Sequence, residues 1–269
     1  MTRRARLDTE MVRRGLARSR EQAAELVAAG RVRVDGQTAA KPATAVAPAS
    51  AVLVAGQTTG PDYASRGGYK LAGALDAFAS AAPVGPRVTG RRCLDAGAST
   101  GGFTDVLLRR GAAIVVAVDV GYGQLAWALQ TDPRVTVIDR TNARSVTPEA
   151  IGGGVELIVA DLSFISLRLV LAALAGCLLP GGDLIPMVKP QFEVGRDRLG
   201  SGGVVRDPRL RAETVVTVAQ AAADCGLGVA GVARSVLPGP AGNVEFFLWL
   251  RADAPPVDPA DVALVASEP

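Results

Sequence analysis

The sequence predicts an α/β, Rossmann-like fold behind a small α+β domain, and three observations carry that reading. Residues 91–106, RRCLDAGASTGGFTDV, run from a short apolar strand ending in Asp95 through a glycine-rich turn into an apolar-periodic segment starting at Phe103. That is a strand, a tight loop and a helix start, the unit with which an open α/β sheet presents backbone N–H groups to a ligand. Short apolar runs then recur between helical stretches: Ala113 to Asp119, Val135 to Ile138, Val155 to Ala160, Asp183 to Val188 and Glu245 to Leu250. The alternation predicts a mostly parallel sheet covered on both faces. Third, the first sixty residues hold ten basic side chains against five acidic ones, a net of +5, while the whole 269-residue chain is only +3. The remainder is −2, so two parts of the chain differ in character.

The expected layout is a first domain over 1–60, a linker over 61–66, the α/β domain over 67–251 and a partly unordered Ala/Pro/Asp-rich tail over 252–269. In the first domain Asp8 to Arg14 reads as a short helix. Ser19 with Gln22 forms a capping box for a helix running to Ala29 and closed by Gly30. Arg31 to Val34 alternates as a strand, Asp35-Gly36 is a hairpin turn, and Ala51 to Ala55 supplies another strand. Positive charge gathered in one small domain is a footprint for a phosphate backbone. Arg4, Arg6, Arg18 and Arg20 are its candidate RNA contacts.

The glycine loop narrows its own ligand by what it lacks. A phosphate loop needs Gly-Lys-Ser/Thr, and here Gly101-Gly102 is followed by Phe103. The dinucleotide fingerprint fails because Ser99 takes the second glycine position, after Asp95 and Gly97. An acid before the first glycine suits a cationic, amino-acid-like ligand, and S-adenosylmethionine fits that description. Asp119, 22 positions after Gly97, stands where an α/β nucleoside site keeps its ribose-binding acid. Residues just past strand ends converge in such a fold, which adds Asp139 with Asn142, Asp161 and Lys189 to the site. The expected cofactor contacts are Asp95, Gly97, Ser99, Gly101, Phe103, Asp119, Asp139 and Asn142.

Composition removes several classes. There is no histidine, which excludes histidine triads, histidine bases and most catalytic zinc sites together. Cys93, Cys177 and Cys225 are scattered and odd in number, so they are expected as reduced core residues, with no disulfide framework and no metal site. Of 29 basic residues only Lys41, Lys70 and Lys189 are lysine. Arginine stays charged at any working pH, so lysine persists where a compact amine, or one that can lose its proton, is needed. The longest apolar run, Leu169 to Leu179, breaks at Pro180-Gly181-Gly182, short of the ~18–20 residues of a spanning helix. The Arg-rich start has no apolar segment behind it, as a secretory signal would. A soluble cytoplasmic monomer with no membrane partner is expected.

Family resemblance sharpens these readings. The helix RSREQAAELVAAG with the following RVRVDG turn resembles the small RNA-binding domain first described in a ribosomal small-subunit protein. Lys70, Asp161, Lys189 and Glu245 resemble the Lys-Asp-Lys-Glu tetrad of the FtsJ-like ribose methyltransferases. With SRGGYKL, LDAGASTGGFT, ADLSFISL, MVKPQFEVG and GNVEFFLWL in order from about Arg3 to Arg251, the chain is similar to the TlyA, or hemolysin A, family. The resemblance implies a class I methyltransferase domain with a seven-stranded sheet, S-adenosylmethionine as cofactor, and ribosomal RNA and ribosomal subunits as partners. The implied activity is 2′-O-methylation of cytidine in 16S and/or 23S RNA. The tetrad would be catalytic, with Lys189, or else Lys70, as the base. Phe164 and Tyr122 are candidates to stack on the target base or on the adenine of the cofactor. One departure lies in the linker, where mycobacterial members carry a Trp before Ser-Arg-Gly and this chain has Pro61-Asp62-Tyr63-Ala64.

Rival activities fit less well. Enzymes that methylate base nitrogens place Asn/Asp-Pro-Pro-aromatic where this chain has Asp161-Leu162-Ser163-Phe164. Carbon-5 cytosine enzymes need a cysteine nucleophile, and Cys93 lies upstream of the loop. A pore-forming protein would need a spanning segment or a basic amphipathic helix. An RNA-binding assembly factor without catalysis would have no use for the four tetrad residues.

Overall fold

The computed structural model describes residues 4–14, 16–17, 19–47, 50–54, 63–81 and 85–268. The chain forms two compact units, Met1–Asp62 and Tyr63–Pro269.

In the first unit β1 (Ala5–Arg6) runs into α1 (Leu7–Arg13), and α2 (Arg20–Ala28) packs against α1. Ser19 Oγ accepts the Gln22 N–H at 3.2 Å, which satisfies one of the donors a helix start leaves unpaired. β2 (Val32–Val34) turns at Asp35 and Gly36, both at positive φ, into β3 (Gln37–Thr38). β4 (Ala45–Val46) pairs with β1, and β5 (Val52–Val54) pairs with β2. Leu7 and Met11 of α1, Ala23 and Val27 of α2, and Val32, Val46 and Val52 of the strands close the core. The expected extension of the last strand to Ala55 lies outside the described residues.

The second unit opens with α3 (Arg66–Ala81). It continues as β6 (Arg92–Ala96), α4 (Gly102–Arg109), β7 (Ile114–Val118), α5 (Trp127–Gln130), β8 (Val135–Ile138), β9 (Val155–Ala160), α6 (Leu171–Gly176), β10 (Leu178–Val188), α7 (Pro190–Glu193), α8 (Pro208–Ala223), β11 (Gly228–Arg234), β12 (Phe246–Arg251) and α9 (Pro259–Ser267). The sheet has seven strands in the order β11-β12-β10-β9-β6-β7-β8. Pairing is parallel from β10 to β8, and β12 runs antiparallel to β10 and β11. Alternate strand residues feed two cores. Leu94, Ile158, Leu184 and Leu248 pack with Leu171 of α6, Val215 of α8 and Val262 of α9. Cys93, Leu157, Ile185 and Trp249 pack with Leu71 and Phe78 of α3 and Val106 of α4. Among the described residues no helix is long and apolar enough to cross a membrane.

Three sequence expectations are corrected. The apolar runs point to no strand between Arg206 and Asn243, where α8 and β11 lie. β11, GVAGVAR, hides its character because glycine is a weak strand former, and Gly231 is there because any larger side chain would press on the Phe78 ring. α8 does carry a signal, Asp207-Pro208, in which Asp207 Oδ1 accepts the Arg209 N–H at 2.9 Å and proline takes the first turn. The tail is ordered rather than loose: Asp258-Pro259 starts α9 by the same device at 2.8 Å, and Val262 and Ala266 are buried. The linker also ends early. Residues 61 and 62 lie outside the described set, but Tyr63 is buried edge-on to Tyr69 at 5.1 Å, with the Arg109 guanidinium over its ring. The Ala64 N–H donates to Asp105 Oδ2 at 2.8 Å, so the second unit begins at Tyr63.

Candidate active site

Strand order reverses between β6 and β9, the point where an open α/β sheet leaves a crevice beyond its carboxyl ends. The loops after these two strands touch. The Asp161 N–H donates to the Ala96 carbonyl at 3.0 Å, and at Gly97, with φ of 88°, a Cβ would collide with the Asp161 carbonyl oxygen. The glycines therefore serve loop-to-loop packing: a Cβ at Gly101 would strike Leu129 and Leu125 in turn. The expectation that this loop offers its backbone N–H groups to a ligand is corrected for four of them. Gly97 and Ala98 both donate to the Val118 carbonyl, Gly101 donates to the Ala98 carbonyl, and Ser99 donates to Asp119 Oδ2 at 2.8 Å.

What the loop gathers instead is negative charge. Asp119 sits at the end of β7 and also accepts the Gly121 N–H at 2.7 Å. Asp95 is fully buried; its Oδ2 accepts the Thr104 hydroxyl at 2.7 Å while its Oδ1 has no hydrogen-bond partner. Burial pushes the Asp95 carboxyl up to about 7, against the Thr104 hydrogen bond, and the charges of Asp161 and Asp119 push the same way. Three carboxylates that feel one another at the switch point suit a cation.

The two lysines meet this crevice as two ion pairs. Lys70, one turn into α3, lies 2.5 Å from Glu245 Oε2, and Lys189, just past β10, lies 2.5 Å from Asp161 Oδ1. The latter approach is off the angle of a hydrogen bond; the directed bond from Lys189 Nζ goes to Ser163 Oγ at 2.9 Å. Backbone register explains the meeting. Val188 pairs with Phe246, so Lys189 and Glu245 are the next residues at the ends of two antiparallel neighbours. Pro186 of β10 pairs with Ala160 of β9, the residue before Asp161. A Cβ on Gly67 would lie 3.7 Å from Asp161 Oδ2, which brings the start of α3, and Lys70 one turn on, beside the second pair. Both lysines and Glu245 are buried.

The remaining predicted residues divide. Asp139 Oδ2 accepts the Gly123 N–H at 2.9 Å beyond β8. Asn142 is exposed and spends its oxygen capping the Arg144 N–H at 3.0 Å. Phe103 is corrected: its ring is buried against Phe247, leaving it no side-chain face toward a ligand. Tyr122 and Phe164 are not core residues, being 70% and 91% exposed, and the Arg140 guanidinium stacks over Tyr122 at 4.4 Å. In the first unit Arg4 is exposed, while Arg6 grips Asp8 through two bonds of 3.0 and 2.7 Å and Arg20 reaches the same carboxylate at 3.3 Å. Arg18 lies outside the described residues. Ser163 and Glu193 carry no signal of a role in the sequence. Buried Glu193 accepts the Ser166 hydroxyl at 2.5 Å and the Leu167 N–H at 2.7 Å, tying the segment after Lys189 to the loop that carries Ser163 and Phe164.

A Rossmann-like sheet with one reversed strand, acids at its switch point and two lysine–carboxylate pairs beside it, one lysine from α3 and one from the end of β10, defines a methyltransferase. The FtsJ-like methyltransferase family model matches residues 63–252, the S4 domain model matches residues 5–52, and the chain belongs to the TlyA family. It is 63% identical over 251 residues, 93% of this chain and 91% of the other, to the 16S/23S rRNA (cytidine-2′-O)-methyltransferase TlyA of Mycobacterium tuberculosis. To the "putative rRNA methyltransferase YqxC" of Bacillus subtilis it is 43% identical, covering 91% and 85% of the two chains. Among solved structures, the "putative hemolysin" of Streptococcus thermophilus superposes with a TM-score of 0.77 at 38% identity, over 99% of this chain and 96% of that one.

Proposed function

We propose that this chain methylates the ribose 2′-hydroxyl of a cytidine in ribosomal RNA, 16S and/or 23S, within assembled subunits, with S-adenosylmethionine as the methyl donor. The reaction is the one in the name of its Mycobacterium tuberculosis relative. The observation that carries it is the convergence of the Lys70–Glu245 and Lys189–Asp161 pairs beside the acid-lined switch point. S-adenosylmethionine supplies a methyl group on a positively charged sulfonium, and Asp95, Asp119 and Asp161 fit that charge. Asp119, with Asp139 beside it, serves the nucleoside, and the backbone of Gly97, Ser99 and Gly101 shapes the cradle.

A ribose hydroxyl is a weak nucleophile, so its proton must leave as the oxygen attacks. Lys189 Nζ, having first given a proton to solvent, takes the hydroxyl proton, with Asp161 and Ser163 holding the amine in place. Lys70, held by Glu245, orients the hydroxyl from the other side. Positioning contributes alongside proton transfer, because a held hydroxyl avoids the entropy of encounter. Phe164 stacks on the target base. The first unit docks on RNA through Arg4, Arg6, Arg18 and Arg20, with Asp8 fixing Arg6 and Arg20 while both keep half their surface in solvent. The protein acts as a cytoplasmic monomer. Mapping ribose methylation in ribosomal RNA from cells with and without the protein tests the reading; it fails if no cytidine loses its 2′-O-methyl group.

A further inference from the structure

Two residues past Lys189, Gln191 lines an open pocket of about 410 Å3 together with Phe164, Ser166, Phe192, Arg196 and Leu199. The size is that of small-molecule sites, ~300–1,000 Å3. Oε1 of Gln191 is buried and has no hydrogen-bond partner, although buried polar atoms are nearly always paired. One wall is built at a conformational cost: Phe164 holds φ of 64°, which a bulky side chain rarely adopts, and leaves its ring exposed while touching Phe192 at 5.2 Å between centroids. Glu193 pins the loop behind it. An aromatic-walled pocket with one unpaired acceptor, close in the chain to the lysine that faces a ribose, fits the base attached to that ribose. Gln191 lies in the first turn of α7, the short helix that Lys189 precedes, and Lys189 Nζ lies 6.0 Å from the centre of the Phe192 ring that walls the pocket.

We propose that Gln191 hydrogen-bonds the exocyclic amino group of the target cytosine, Oε1 accepting from N4. The terminal torsion of glutamine is soft, so the amide turns into the pocket as the base enters. The inference rests on the reading that this site methylates a ribose. Uracil offers an acceptor where cytosine offers the amino donor. Glutamine can turn round and donate to uracil, but glutamate, acceptor only, cannot. The two substitutions therefore report different things.

The test is methyl transfer to subunits carrying cytidine or uridine at the mapped target, with S-adenosylmethionine binding measured in parallel by calorimetry. Gln191→Leu lowers kcat/KM on cytidine about ten- to a hundredfold, the scale of one lost edge contact, with cofactor affinity unchanged. Gln191→Glu keeps cytidine within a few-fold of wild type and raises the cytidine-to-uridine preference about tenfold or more. An unchanged rate for Gln191→Leu, or an unchanged base preference for Gln191→Glu, overturns the assignment. Wild-type protein that methylates no ribose at all overturns the reading beneath it and the assignment with it.

Discussion

Replacing Asp95 by asparagine should flatten the dependence of stability on pH. The carboxyl is fully buried and pushed up to about 7, against roughly 3.9 for an aspartate in an unfolded chain. Between those values the unfolded chain has already lost its proton while the folded chain keeps it, so stability falls as pH rises through the window. About three pH units at 1.36 kcal/mol each make a total loss of about 4 kcal/mol, more than half of which falls between pH 5 and pH 8. Asparagine keeps an acceptor for the Thr104 hydroxyl and cannot ionise, so it removes the slope whatever it does to stability at a single pH. The assay is urea unfolding at several pH values followed by tryptophan fluorescence. Both tryptophans, Trp127 and Trp249, lie in the methyltransferase unit, so the signal reads the unit that contains Asp95. Equal slopes for wild type and Asp95→Asn would refute the placement of this carboxyl. The same charge logic makes cofactor binding near pH 6 release protons, since a cation beside Asp119 and Asp161 favours ionised Asp95; calorimetry in buffers of different ionisation enthalpy measures the number.

Lys189→Arg and Lys70→Arg should each lower 2′-O-methylation by roughly two or more orders of magnitude, the scale of a lost acid–base group, while Arg20→Lys stays mild; near wild-type turnover by Lys189→Arg at saturating cofactor removes it from the role of base. Glu193→Ala leaves the Ser166 hydroxyl and Leu167 N–H unpaired, about 1–3 kcal/mol each, and should depress turnover about tenfold without weakening cofactor binding, whereas Glu193→Gln, which can still accept one of those bonds, should recover most of the rate. Removing residues 1–62 should abolish methylation of subunits while sparing cofactor affinity, and binding of the full chain to subunits should weaken steeply with salt; methylation by the shortened chain at an undiminished rate counts against the division of labour.

The parts of this molecule written in local pattern were readable beforehand. Strands β8 and β9 keep the limits read from their apolar runs, and Asp161 and Lys189 stand where the strand-end argument puts them. The partnership of Lys70 with Glu245 was not readable from spacing, since 175 positions separate them; only the tetrad resemblance brought them together. The glycines of the loop mark close approach without saying what approaches, and at Gly97 and Gly101 the groups that approach are the Asp161 carbonyl and two leucines. Ser163, Gln191 and Glu193 look like ordinary loop residues until the loops after β9 and β10 face each other. For Phe103 the place at a helix start suggests a ligand contact, but its ring packs against Phe247 of β12 in the core.

The ordered tail has a further consequence. β11 is an edge strand, and an uncovered edge invites pairing with another chain. Here the Val229 N–H donates to the Pro255 carbonyl at 2.7 Å, Gly228 leaves room for the Ala254 backbone, and α9 lies against β11 and α8. The residues after the last strand thus act as a built-in guard on the open side of the sheet. Shortening the protein at Arg251 would leave every site residue in place and yet produce a molecule prone to stick to copies of itself, whereas an extension added beyond Pro269 leaves the guard intact.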